Sequence, residues 1–376
     1  MAIVWRCKLW DTLASGPIEL ISGAVVGLVL GALFEEWLKR QIASVGRLLR
    51  RLVLRRPDGP DLGREFRLGP LHVPVRILEG DGVHAIHEGE VRVLVNPVNV
   101  RLPDELVQWR AEIAAEQARR QEVGEPYAWN GASYAVEDLI IERVGSHESP
   151  AVTLILKYCD YYTFLATQMF DRRLRGGGNL RSRYLDGRDS RDVPDFMRSC
   201  FGQNMAVVTA DNWLLVSCRG EEVHTARGLW NSSANESLSR DKDSINGGPP
   251  SLFQAARRGL REELHLLPHQ YGLQLLAFHE VTTLCQWGSL FLARLHTMSK
   301  KDVEEHLTRG IEDGWEHKDF DYVRFEPEPV LRYLLREDRR RNWGPAAPVL
   351  LYLSLVNAYG RQRVDAAAAH VLRGSP

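Results

Sequence analysis

The chain has 376 residues, 44% hydrophobic and 26% charged, with a formal net charge of −1. That length carries two domains, or one large one, with ample core, and the composition excludes global disorder. The near-neutral charge excludes bulk attraction to nucleic acid, so no stable nucleic-acid partner is expected. The neutral total hides a split, because residues 1–57 hold nine Lys/Arg against four Asp/Glu and the remainder 39 against 45. Such asymmetry suggests a basic, membrane-proximal end and a neutral-to-acidic body. The five cysteines (Cys7, Cys159, Cys200, Cys218, Cys285) are scattered with no CxxC pair, which fits a reducing compartment.

Leu20 to Phe34 (LISGAVVGLVLGALF) is fifteen residues without a charge. At ~1.5 Å per residue it covers about 22 Å, short of a roughly 30 Å hydrocarbon core unless its flanks are included. Trp10 and Trp37 flank it as interfacial aromatics would. The expectation is a single membrane span, with a buried core helix and a cleaved signal peptide as rivals. Lys39, Arg40, Arg47, Arg50, Arg51, Arg55 and Arg56 follow it with no acid among them. The positive-inside tendency then places a short N-terminus outside the inner membrane and the body in the cytoplasm. Gly23, Gly27 and Gly31 form GxxxGxxxG, which favours helix–helix packing. Leu38, Ile42, Val45, Leu49 and Leu52 form a heptad seam or the apolar face of a helix lying on lipid. A linker, Arg56-Pro57-Asp58-Gly59-Pro60, closes the segment.

Residues 58–200 read as an α/β extension. Val73–Leu78 and Val91–Val100 are predicted strands, and Pro103–Gln121 a helix with acids early and arginines late. Tyr134–Arg143 and Ala151–Lys157 are predicted to pair across a turn. Asp171 to Pro194 is Arg-rich, with Arg172, Arg173, Arg175 and Gly176-Gly177-Gly178. It reads as a flexible loop or as a wrap around phosphate.

Residues 201–376 change texture. MAVVTADNWLLVSCRG predicts two strands turning at Asp211-Asn212, then a polar segment with Arg227, Trp230 and Asn231. FQAARRGLREELHLL (253–267) predicts a helix on which Arg258 and Glu262 lie one turn apart, with Glu263 about 100° further round. Leu273–Phe278, Ser289–His296 and Tyr322–Phe325 are predicted strands, and Pro348–Tyr359 a final helix. His265 and His269 have a zinc-like spacing, but Pro268 should end the helix between them.

This order, with the motif AA-R-x-G-L-x-E-E, resembles the Nudix hydrolase family over roughly residues 201–360. Arg258, Leu260, Glu262, Glu263 and Leu266 match the family's box. Gly259 stands where the family has a metal-binding Glu, His265 where it has Gly, Pro250 where it has Glu and Ser244 where it has the leading Gly. The resemblance implies an α/β (α+β) fold, a Nudix-like α/β/α sandwich with mixed sheet. It also implies Mg²⁺ or Mn²⁺ on Glu262 and Glu263, with help from an acid such as Glu312 or Glu316. Loss of one carboxylate weakens the ion that would generate hydroxide and neutralise phosphate charge. The box is therefore expected to serve as a scaffold rather than a catalyst. The layout also resembles membrane-spanning Nudix-like effectors of anti-phage systems that signal with cyclic oligonucleotides. On that analogy the chain would bind a nucleotide second messenger, self-associate and disrupt the bilayer. Candidate ligand contacts are Trp230 for stacking and Arg227, Arg258, Arg173 and Arg175 for phosphates. The rivals are a membrane-anchored Nudix pyrophosphatase, with Glu262 and Glu263 catalytic, and a protein-interaction scaffold.

Overall fold

The computed structural model describes residues 65–143, 150–220, 226–244, 247–308 and 316–374. The chain from Asp58 to Pro376 forms one compact unit. In chain order it runs β1 (Glu65–Leu68), β2 (Leu71–Glu79), β3 (Val91–Asn99), α1 (Asp104–Glu122), β4 (Ala132–Arg143) and β5 (Pro150–Asp160). Two short helices follow, α2 (Tyr161–Thr167) and α3 (Leu180–Tyr184). Next come β6 (Gly202–Val208), β7 (Trp213–Arg219), β8 (Trp230–Asn231), β9 (Ala234–Ser237) and α4 (Leu252–Leu264). The remainder is β10 (Tyr271–Val281), β11 (Gln286–Leu295), α5 (Lys300–Thr308), β12 (His317–Arg324), α6 (Pro327–Leu335), α7 (Ala346–Tyr359) and α8 (Arg361–Arg373).

The large sheet has the order β1-β2-β10-β11-β6-β7-β12. Its strands pair antiparallel except β6 with β11, whose register sets Met205 against Phe291 and Val207 against Ala293. The period-two alternation of β6 decides what lies on each face. Ala206 and Val208 pack under α6, α7 and α8, with Val330, Leu350 and Val364 in the same core. Met205 and Val207 face the other way, toward Phe253 and Leu260 of α4 and toward Val136, Leu154 and Leu156. A strand covered on both sides must be apolar throughout, hence the run Met205-Ala206-Val207-Val208. The same logic makes α7 (AAPVLLYLSLVNAY) buried almost all round.

A second sheet, β3-β5-β4, is parallel between β3 and β5 and antiparallel between β4 and β5. A third core joins Leu106, Trp109 and Ile113 of α1 to Phe170, Leu180 and Phe196. Asn212 turns β6 into β7 at φ 66, a left-handed position that Asn tolerates well.

Two parts of the expected fold class are corrected. The expected sandwich with a separate N-terminal extension is instead a mixed α/β fold. β1 and β2 belong to the large sheet, β2 pairing with β10 through Arg76 and Glu280, and one face is covered by a second sheet together with α4. The physical reason is the alternation in β2: Leu71, Val73 and Val75 are buried, and they find their core only against the later residues. The expected membrane-spanning helix is also uncorroborated, since no helix among the described residues is long and apolar enough to cross a membrane. The stretch 20–34, its Gly23, Gly27 and Gly31, and the heptad seam lie outside the described residues. Glu312 lies outside them too.

Candidate functional site

The site grows from a fork in β6. The C-terminal half pairs with β7 at Val207 and Val208, while the N-terminal half, Gly202 to Met205, pairs with β9 instead. β7 is meanwhile joined by the two-residue β8 at Ser217 and Cys218. The divergence opens a cavity of about 340 Å³, within the roughly 300–1,000 Å³ typical of small-molecule sites. Its wall takes Gln203 and Asn204 from β6, Arg219 from β7, Asn231 from β8, and Asn235 and Glu236 from β9. The opposite side supplies His279 of β10, Gln286 and Trp287 of β11, and Pro345 and Ala346 at the start of α7.

The wall is rich in neutral amides and several of its polar atoms are unsatisfied. Gln203 Oε1, Asn235 Nδ2, Arg219 Nε, His279 Nδ1 and Trp287 Nε1 are buried without a hydrogen-bond partner. Buried polar groups are nearly always paired, so five orphans around one cavity call for an explanation. Other groups there are firmly held. Asn204 donates to Asn235 Oδ1 at 2.6 Å, and Gln203 Nε2 donates to the Leu252 carbonyl at 3.0 Å. His279 is 3% exposed, and burial pushes its pKa down to about 4, so the ring is neutral at pH 7.

α4 runs behind this wall. Ser251 caps it by accepting the Gln254 N–H at 3.2 Å. His265 ends it at φ 55, the left-handed conformation that favours glycine and so accounts for the family preference there. The helix ends before His269, which sits in a 3₁₀ turn led by Pro268, as the proline predicts. Gly259 faces Met205 and Glu236: a Cβ there would lie 2.7 Å from Met205 Cε and 3.0 Å from Glu236 Cβ. A side chain at position 259 would thus meet neighbours before reaching open space.

The charged groups of α4 are engaged within the protein. Arg258 grips Asp243 with Nε and Nη2, each at 2.9 Å, and donates Nη1 to Glu262 at 3.1 Å and Nη2 to the Ser237 carbonyl at 3.0 Å. It also pairs with Glu236. Burial opposes its charge, but the Asp243 hydrogen bond and the attraction of Glu236 outweigh burial and keep it protonated. Glu262 lies 3.3 Å from Lys242 Nζ and 3.1 Å from Arg261 Nη2. Burial raises its pKa, yet Arg258 and Lys242 more than offset that and hold it low. Glu236 goes the other way: burial, with repulsion from Glu263 and Glu262, pushes it up to about 8 despite Arg258.

Glu263 is 2% exposed. It accepts the Asn235 N–H at 2.8 Å and lies 3.3 Å from His317 Nε2 and 4.0 Å from Arg219 Nη1. Glu316 contacts the same Arg219 nitrogen at 2.7 Å. A divalent cation needs several oxygen ligands converging on one point. Here Glu262 and Glu263 are held apart by different cations, and the described residues contain no group of three or more His, Cys, Asp or Glu able to hold a metal. As paired here, Glu262 and Glu263 present no common set of oxygens to a divalent cation among the described residues.

The other expected ligand contacts disperse. Trp230 is half-buried, with the Arg339 guanidinium stacked 3.4 Å from its ring centroid, so one face is already taken. Arg227 is exposed on the loop between Ala226 and Leu229, which do line the cavity. Arg175 donates to Glu105 through its backbone at 2.8 Å and also pairs with Gln108, while Arg172 pairs with Glu112 at 2.6 Å. Arg172 and Arg175 therefore decorate α1, Arg173 pairs through its backbone with Asn179, and none of the three lines the cavity. Arg219, Asn235, Gln203, His279 and Trp287 were missed. Two signals were present: the His279-Glu280 pair near the end of an apolar strand run, and an Asn/Ser-rich run, Trp230 to Ser237, beside apolar ones.

No family model matches the chain, and no curated protein matches it. Among solved structures it is similar to the crystal structure of DR0079 from Deinococcus radiodurans, at 14% identity over 36% of this chain and 73% of that chain. The TM-score of 0.27 is too low for that likeness to carry any argument about this protein.

Proposed function

We propose that this protein binds a small ligand of the nucleoside or nucleotide class in the β6–β9–β10–β11 cavity and holds it without metal-dependent hydrolysis. The carrying observation is the cavity itself, whose wall gathers the amides of Gln203, Asn204, Asn231, Asn235 and Gln286 beside Arg219 and Trp287. A wall of amides supplies both donors and acceptors, which suits a heterocyclic base, although half of the Gln203 and Asn235 amides is already engaged within the protein. Hydrolysis of a diphosphate in the manner of the Nudix family needs an ion held by carboxylates, and those carboxylates are neutralised by Arg258, Lys242 and Arg219. On this reading α4 is a Nudix-like helix retained as a wall. Ligand-driven self-association belongs to the same proposal.

The test uses the full chain. Melting temperature is measured against cyclic di- and trinucleotides, ADP-ribose and nucleoside diphosphate sugars, with and without Mg²⁺, and each ligand is recovered and assayed for cleavage. Light scattering reads self-association in the same samples. The expected result is stabilisation of about 2.7 kcal/mol at a hundredfold excess over Kd, with intact ligand. Turnover that disappears on Glu263→Gln would make the protein a pyrophosphatase. Absence of any shift would favour a protein-interaction scaffold.

A further inference from the structure

The spacing of His265 and His269 is zinc-like in the sequence, but the chain folds His265 against a different histidine. Its ring lies 5.3 Å, centroid to centroid, from that of His306 on α5, with the two planes at 57°. His265 is exposed and His306 half-buried, and neither lines the cavity. We propose that His265 and His306 together form a two-histidine site for Zn²⁺ or a like divalent transition metal, with water completing its coordination. The site is independent of the cavity and of the ligand bound there.

Distance favours a shared ion. Zn²⁺ takes an imidazole nitrogen at about 2.0–2.1 Å, and that nitrogen lies about 1.1 Å from the ring centre, so the ion sits roughly 3.2 Å from each centroid. Two such rings are about 5.2 Å apart at a tetrahedral angle and about 4.5 Å apart at the right angle of a square-planar ion. The 5.3 Å found here fits the tetrahedral ion. The tautomer is suitable as well. His306 Nε2 lies 3.0 Å from the His265 carbonyl oxygen. A carbonyl only accepts, so Nε2 of the neutral ring carries the proton and Nδ1 keeps the lone pair that a metal needs. Metal-binding histidines nearly always donate their other ring N–H to such an oxygen, which fixes the ring and makes the ligating nitrogen more basic. The backbone adds a third point. His265 holds φ at 55, where glycine would cost less, so an imidazole stands at a position that conformation alone would give to glycine. Two protein ligands are fewer than the four of a structural zinc site. The ion therefore exchanges with solvent and pins the end of α4 to α5 only while it is bound.

Zn²⁺ itself is the probe, titrated by calorimetry into the full chain free of any affinity tag. Wild type is expected to bind it with a Kd below about 100 μM, undisturbed by millimolar Mg²⁺, which prefers oxygen ligands. His306→Gln, whose amide can still donate to the His265 carbonyl, is expected to weaken Zn²⁺ at least about tenfold, and His265→Gly likewise. His265→Gly should melt no lower than wild type in zinc-free buffer, because glycine relieves the left-handed backbone, so its loss of zinc is not a loss of fold. His269→Gln should bind as wild type does. No Zn²⁺ uptake by wild type below about 1 mM would overturn the proposal. So would uptake that survives undiminished in the His265→Gly, His306→Gln double variant, or a loss in His269→Gln equal to that in His306→Gln.

Discussion

His279 sits in β10 with its ring held neutral by burial, and its Nδ1 lacks a partner. Its folded pKa, about 4, lies below the ordinary 6.5, so the folded state binds fewer protons than the unfolded one between those values. Stability from this group is therefore full above pH 6.5 and is lost as pH falls through 4, to the extent of about 3 kcal/mol. The stability of wild type relative to His279→Gln, read by denaturant titration at each pH, should fall by that amount from pH 7 to pH 4; the comparison cancels Glu236, whose raised pKa acts in the opposite direction. Arg258 carries a larger stake. Removing it by Arg258→Met leaves Asp243, 0% exposed, together with Glu262 as buried acids without their main cation. Loss of one partner from a buried network costs about 3–5 kcal/mol, measurable by urea unfolding at pH 7. At this scale the sequence was partly legible. Arg258 and Glu262 could be paired from helical spacing alone, because i,i+4 neighbours face each other whatever the fold. Trp230 was the expected stacking aromatic, but nothing local to it announces Arg339, more than a hundred residues away, on its ring face.

Among elements, α4 is the one whose neighbours decide its chemistry. Gly259 lets the helix pack against Met205 of β6 and Glu236 of β9. Restoring the carboxylate by Gly259→Glu should not create a metal site, because the added atoms collide before they reach open space. The expected outcomes are a loss of about 1–3 kcal/mol in stability and no gain of Mg²⁺-dependent diphosphate cleavage. Thermal melts and a phosphate-release assay check the two halves. Ser251→Ala removes the hydroxyl that caps the helix and should cost about 1 kcal/mol by denaturant unfolding. Long periodic elements were readable in advance: the predicted helix 103–121 is α1 at 104–122, and the predicted pair 134–143 and 151–157 is β4 and β5. β8 and β9 were not, being two and four residues of mostly polar chain. Their hydrogen bonds come from β7 and β6, so only the partner strand makes them strands at all.

For the whole molecule, the consequence of β1 and β2 joining the large sheet is a shared core. A chain beginning at residue 201 would leave the edge of β10 unpaired and expose the core that Leu71, Val73 and Val75 fill. Such a chain is expected to lose cooperative thermal unfolding and to aggregate, whereas one beginning at residue 58 should melt in a single transition; calorimetry separates the two. The sequence by itself determined the mixed α/β character, the main strands and helices, and the Arg258–Glu262 pairing on one helix. Those depend on period, propensity and residue identity, which are local. Only the tertiary structure decided that β1 and β2 join the sheet of β6, β7, β10, β11 and β12, that β6 forks to open a cavity, and that Arg219 stands near both Glu263 and Glu316. Those depend on which side chains meet across long separations in the chain, where burial and charge compensation, not local pattern, choose the partner.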